Sequence, residues 1–373
     1  MIYLDNAATT KINEMALKDL IEKSKFCFGN PSTSYSIGVQ AKKIINEARN
    51  KISSLLHCDS KDLFFTSGGT EANNIIIQSF LRNAKSKSHI ICSSIEHESI
   101  LNVVKNVKNN NVKVTFVNPD KNGIILPESI EKYIDETNTL VCVQLINNEV
   151  GSLQPIKEIA KIVHKHNAHI HVDAVQAIGH IAVDIKELDV DSLSASAHKF
   201  AGPKGVGFLY TKQHEVGLCF GGGQEKNVKS GTENVPSISA MSIALEQSLV
   251  EINRKQDNIM TLMSYLKNEL LKENEISLNV DNKSYSAILS FRIKNISNEA
   301  LVNFLDMNNI CVSTGSACSG NTFERSHVLK AIGLTDEEID STLRVSLSCE
   351  NTIDECKAFI TALKKGISLL KAR

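Results

Sequence analysis

Residues 139–146 read TLVCVQLI, an apolar, uncharged run flanked by polar residues. Its length suits a strand, and a strand apolar on both faces belongs at the centre of a covered sheet. Downstream, IKEIAKIVHKHN (156–167) repeats apolar residues at helical spacing. HIHVD (169–173) and VDSLSAS (190–196) then read as strands. Upstream, LFF (63–65), 88–93 and NVKVTFV (111–117) are strand-like, separated by helical stretches over 70–84 and 99–108. This alternation predicts βαβ units and an α/β fold with a mostly parallel sheet. Past Thr232 the pattern changes. A long helical stretch is expected over 238–271, then strands at 276–280 and 287–292 and a helix over 298–308. A final helix carries the stripe Ile353, Cys356, Ile360, Leu363, Ile367, Leu370. We therefore expect a large domain over 13–255 and a smaller α+β domain made of 1–12 and 256–373.

A chain of 373 residues exceeds what one core usually organises, which favours two domains. With 42% hydrophobic and 22% charged residues it is an ordinary globular composition, not a disordered one. A net charge of -1 offers no basic field for nucleic acid or anionic lipid. The start, MIYLDNAATT, lacks a basic, apolar leader, and no apolar run approaches a membrane span. The nine cysteines are scattered and never form a C-x-x-C pair, so they read as reduced thiols of a cytoplasmic protein.

Three segments carry the chemistry. TSGGTEANN (66–74) follows a strand and opens a helix. Its glycines allow a tight turn, and exposed N–H groups at a helix start bind phosphate, although the same motif serves as a capped turn. HVDAVQ (171–176) puts Asp173 at the C-terminal end of a strand, where open α/β sheets hold ligands. SASAHKFAGPKG (194–205) puts Lys199 just beyond the next strand, as a surface charge or as an amine held for Schiff-base chemistry. Together, a phosphate cup, an acid and a lysine suit pyridoxal phosphate, with the acid pairing the ring nitrogen.

YLDNAATT (3–10), GNPS (29–32), FTSGGTEANN (65–74), EH (96–97), NNEVGSLQP (147–155), HVDAVQAIG (171–179), HKFAGPKGVG (198–207), GGGQE (221–225), SGT (230–232), GSACS (315–319) and the Arg344 segment occur in that order. The series resembles the NifS/IscS-type cysteine desulfurases, in the class V aminotransferase branch of fold-type I pyridoxal-phosphate enzymes. The likeness runs from Tyr3 to about Leu347, nearly the whole chain. It implies that Gly69, Thr70, Ser196 and His198 hold the cofactor phosphate, joined by Thr232 from a second subunit of a homodimer. It further implies that Asp173 pairs with the ring nitrogen, that Gln176 and Asn148 bond the ring hydroxyl, and that Lys199 carries the cofactor. His97 would stack on the ring and move protons. Arg344, with Asn30, would clamp the substrate carboxylate, a task suited to a planar fork; the alternative for Arg344 is a buried structural ion pair.

Cys318 lies in VSTGSACSGNTFERSH (312–327), a Gly/Ser-rich stretch unlike the settings of Cys27, Cys58, Cys92, Cys142, Cys219, Cys311 and Cys356. The resemblance makes it the nucleophile that takes the sulfur of L-cysteine as a persulfide, leaving L-alanine. Delivery would be to an iron–sulfur scaffold or a tRNA-thiolating enzyme. No resident metal is expected, and Cys318 is the residue at which a transient iron–sulfur ligand would be sought. Competing readings are a class V aminotransferase, a selenocysteine lyase and a non-catalytic scaffold. Retention of Lys199, Asp173, His97, Cys318 and Arg344 together argues against the last. The chain departs from the family pattern at Tyr35, Lys229 and Ser348, where His, Arg and Gly are usual.

Overall fold

The computed structural model describes residues 1–84, 87–135, 137–213, 217–218, 220–281, 287–315 and 325–371. Its main sheet has seven strands, in the spatial order Leu63–Thr66, Gly207–Thr211, Ser192–Ser196, His169–Asp173, Asn138–Cys142, Ser88–Ser93, Val112–Val117. The last five run parallel, in agreement with the α/β expectation. Gly207–Thr211 is antiparallel to both its neighbours. It was not anticipated, because GPKGVG before it reads as loop. TLVCVQLI is central as expected, but regular pairing stops at Cys142. Beyond it, Val143 N and Leu145 N still donate to the carbonyls of His171 and Asp173, at 3.2 and 2.8 Å.

Helices cover both faces of this sheet. Gly69–Asn83 and Glu98–Lys105 bury Ile75, Ile76, Ile100, Leu101 and Val104 against one face, with Ile90, Leu140 and Leu209. On the other, Ile156–Lys165, Ser36–Leu55 and Val235–Leu249 enclose Val141, Val172, Leu193 and Phe208.

The expected helix over 238–271 is two helices, Val235–Leu249 and Ile252–Leu270. They part at Glu251, whose φ of 52° is left-handed and stops the ladder of hydrogen bonds. The second helix turns Ile259, Leu262, Met263, Leu266 and Leu270 to a separate core. That core is built on the antiparallel sheet Thr342–Ser346, Ile288–Ile293, Ile276–Leu278. Asn298–Met307 and Ile353–Lys371 close it. Gly366 lets two helices meet there, since a Cβ on it would lie 2.7 Å from both Leu301 Cδ1 and Phe304 Cδ1. The N-terminal strand Ile2–Tyr3 pairs with Ile310–Cys311, and the chain then crosses the C-terminal ends of the main-sheet strands.

Candidate active site

Five parallel strands end at the same edge, and a cavity of about 390 Å³ lies beyond it. Gly69, Thr70, His97, Asn148, Asp173, Gln176, Ser196, His198, Lys199 and Arg344 all line it. Asn30 does not; its side chain is engaged locally, accepting from Ser32 N at 3.0 Å. Thr232 is exposed and does not line this cavity either. Cys318 lies outside the described residues.

The wall opposite the strand ends is the N-terminal segment. Lys199 follows Ser192–Ser196 in a single 3-10 turn, and its Nζ donates to Ala7 O and Ala8 O at 2.6 and 2.8 Å. Gln176 Nε2 donates to Ala7 O at 2.8 Å, and Thr10 Oγ1 to His198 O at 2.8 Å. His198 is pushed down to about 4, first by burial and then by the charges of Lys199 and Lys204. It is therefore neutral at physiological pH.

Asp173 closes its strand with its carboxylate already oriented. Oδ1 accepts from Val175 N at 2.9 Å and Oδ2 from Asn73 Nδ2 at 2.8 Å. Asn73, fully buried, was missed in the sequence, where nothing distinguishes it from the neighbouring Asn74. Its Nδ2 also donates to Ser99 Oγ at 2.8 Å, and its Oδ1 lies 2.9 Å from His171 Nε2. His97 caps the helix Glu98–Lys105: Nδ1 accepts from Ser99 N at 3.1 Å and faces Ser99 Oγ at 2.9 Å. With Nδ1 accepting a backbone N–H, neutral His97 carries its proton on Nε2. Burial and the charge of Asp173 push the adjacent Glu96 carboxyl well above the usual range.

Arg344, in the strand Thr342–Ser346, is 2% exposed. Nη2 pairs with Asp5 Oδ1 at 2.7 Å, and Nη1 donates to Asn148 O and Gly315 O at 2.8 and 3.0 Å. Nε is buried with no hydrogen-bond partner among the described residues. Asp5 is a second residue the sequence did not single out; it lies 339 positions from its partner.

The phosphate turn is shaped by close approach. Gly68 has φ of 150°, open to glycine and strained for other residues, and a Cβ on Gly69 would meet Val175 Cγ2 at 2.5 Å. The helix Gly69–Asn83 starts there, so its free N–H groups face the cavity mouth. A carboxylate at a strand end, an amine lining the same cavity and a glycine-shaped helix start form the donor set that pyridoxal phosphate requires.

Comparison with known proteins agrees. The chain matches the aminotransferase class-V family over residues 2–359, and it belongs to that family, whose members depend on pyridoxal phosphate. It is 37% identical to cysteine desulfurase IscS of Clostridium botulinum, over 98% of this chain and 94% of that one. It is 38% identical to cysteine desulfurase IscS 1 of Archaeoglobus fulgidus, over 100% and 98%. A solved NifS-like protein superposes with a TM-score of 0.93 at 34% identity, covering 99% of this chain and 100% of the other.

Proposed function

We propose that this protein is a cysteine desulfurase that removes sulfur from L-cysteine, leaves L-alanine and carries the sulfur as a persulfide on Cys318. The observation that carries this reading is the convergence of Lys199, Asp173, His97 and Arg344 on one cavity, in a chain alike throughout to desulfurases.

Lys199, Asp173, Gln176, Asn148, Ser196, His198 and the Gly69–Thr70 turn would hold pyridoxal phosphate. Bound there, the cofactor supplies an electron sink that acidifies the substrate Cα–H. Asp173 keeps its carboxylate aimed by Asn73 and Val175, and would pair with the ring nitrogen of the bound cofactor. Arg344 offers the substrate carboxylate its Nε, which has no partner among the described residues, and that carboxylate competes with Asp5 for Nη2. Lys199 Nζ takes the Cα proton and gives a proton back to Cα after the sulfur has left, before L-alanine is released. The Cys318 thiolate attacks the substrate sulfur: an S–S bond forms, the Cβ–S bond breaks, and the electron pair left at Cβ takes a proton. His97, protonated on Nε2, is placed to give it.

In the same reading the enzyme is a cytoplasmic homodimer whose Thr232 reaches the second copy's phosphate, and an acceptor protein of iron–sulfur assembly or tRNA thiolation collects the persulfide. Among the described residues no helix is long and apolar enough to cross a membrane.

The test is incubation with L-cysteine, followed by measurement of alanine and of the mass of the Cys318 peptide. Wild type should gain one sulfur there. Cys318→Ser should keep the yellow colour of bound cofactor but make almost no alanine, because a serine hydroxyl is barely ionised at neutral pH. Alanine at the wild-type rate, or sulfur on another cysteine, would remove Cys318 from the mechanism.

A further inference from the structure

Among the described residues the strand Leu63–Thr66 is an edge of the main sheet, so one side of its backbone lacks a strand partner there. Two side chains satisfy it. Arg49 Nη1 donates to Leu63 O at 2.5 Å, and Phe65 N donates to Glu225 Oε2 at 2.8 Å. The same two side chains form a bidentate pair, Nη1 to Oε2 at 2.8 Å and Nη2 to Oε1 at 2.6 Å. The Arg49 guanidinium also lies over the Phe65 ring, 4.5 Å from its centroid. The Glu225 side chain is 3% exposed.

Glu225 begins an unusual turn. Glu225, Lys226 and Asn227 have φ of 46°, 54° and 69°, three successive non-glycine residues in the left-handed region. Such a run persists only where its surroundings hold it. Lys226 Nζ adds a bond to Lys61 O at 2.9 Å. Beyond the turn the loop folds back on itself. Gly231 N donates to Gln224 Oε1 at 3.0 Å, and a Cβ on Gly221 would lie 2.9 Å from Ser230 Cβ. The arm that emerges is Gly231–Thr232, and it is exposed.

We propose that the Arg49–Glu225 pair sets the shape of the loop 221–234 and thereby presents Thr232 to the cofactor phosphate of a second copy. Glu225 is then a positioning residue for the partner's site. The argument rests on the shared-site reading of Thr232 given above. The pair is anchored on the strand that runs directly into the Gly68–Thr70 turn of its own chain. One ion pair, its carboxylate buried, thus connects the phosphate turn of one copy to the arm that completes the other.

Subunit complementation tests this. Heterodimers carrying two different tags are purified, and each contains one Lys199→Ala subunit, so only one site works. With Glu225→Gln in the Lys199→Ala subunit, the working site is served by the altered loop. Its affinity for pyridoxal phosphate, read from cofactor-dependent alanine production, should fall about tenfold or more, as removing the buried carboxylate of a bidentate pair warrants. With Glu225→Gln in the other subunit, the working site is served by an unaltered loop and should stay near wild type. Equal loss in both arrangements, or loss only in the second, overturns the proposal. Thr232→Ala in the same two arrangements is the control: if it shows no such asymmetry, the shared-site reading itself fails. If it does and Glu225→Gln does not, only the positioning role fails. Arg49→Lys, which keeps the charge and loses the fork, enters the same scheme should Glu225→Gln give no soluble dimer.

Discussion

Asn73 has one amide and three partners, and those partners are the groups that matter for charge at the site. It donates to Asp173 and Ser99 and accepts from His171. His171 therefore keeps a proton on Nε2, and burial pushes the ring down to about 4, so it is neutral at physiological pH. The unfolded chain titrates near 6.5, so between these values it binds a proton that the folded chain refuses. Stability falls as pH drops through that window. By about pH 5 the loss from this residue should be on the order of 2 kcal/mol. Urea midpoints of wild type and His171→Gln at about pH 7.5 and about pH 5 should show a steeper acid loss in wild type. Equal slopes would mean that His171 is not the titrating group. Arg344 makes the second prediction at this scale. Arg344→Ala should raise KM for L-cysteine roughly tenfold to a hundredfold, about 1.5–3 kcal/mol, while pyridoxal phosphate still binds. An unchanged KM with loss of cofactor would leave the Asp5 ion pair as its whole purpose.

At the scale of elements, the antiparallel strand Gly207–Thr211 binds the fold to the site. It sits between Leu63–Thr66 and Ser192–Ser196, which lead into the phosphate turn and into Lys199. A Cβ on Gly207 would lie 2.3 Å from Ala195 O and 2.7 Å from Gly68 Cα, both backbone atoms that cannot rotate away. Gly207→Ala should therefore cost about 1–3 kcal/mol in urea unfolding and weaken pyridoxal phosphate binding. Wild-type cofactor affinity in a destabilised variant would separate the strand from the phosphate turn. This strand was hidden because glycine and proline before it carry no strand signal. The parallel strands were legible because their apolar runs are long and lie between amphipathic helices. The break at Glu251 was equally hidden: no glycine or proline marks it, and the two halves pack into different cores.

At the scale of the molecule, the shared-site reading of Thr232 requires two copies. Light scattering at micromolar concentration should give the mass of a dimer. A fully active monomer would exclude the shared site and the role of Thr232 together. Of the residues named from the sequence, Lys199, Asp173, His97, Arg344 and the phosphate-turn residues line one cavity, whereas Asn30 and Thr232 lie away from it. Motifs at strand ends are legible because the end of an apolar run locates them. A residue proposed to act on another copy, as Thr232 is, has no such local mark.

The sequence alone determined the parallel α/β architecture, the acid and lysine at successive strand ends, the glycine turn opening a helix and the isolated cysteine at 318. Each is written in a window of ten or twenty residues, through side-chain periodicity, turn chemistry and the placement of a reactive group at an element's end. Tertiary structure decided which charges meet. Arg344 with Asp5, Arg49 with Glu225 and Asn73 with Asp173 lie 339, 176 and 100 positions apart. Such pairings follow from strand order and from the cost of burying a charge or an amide without a partner, and neither is visible until the chain has closed on itself.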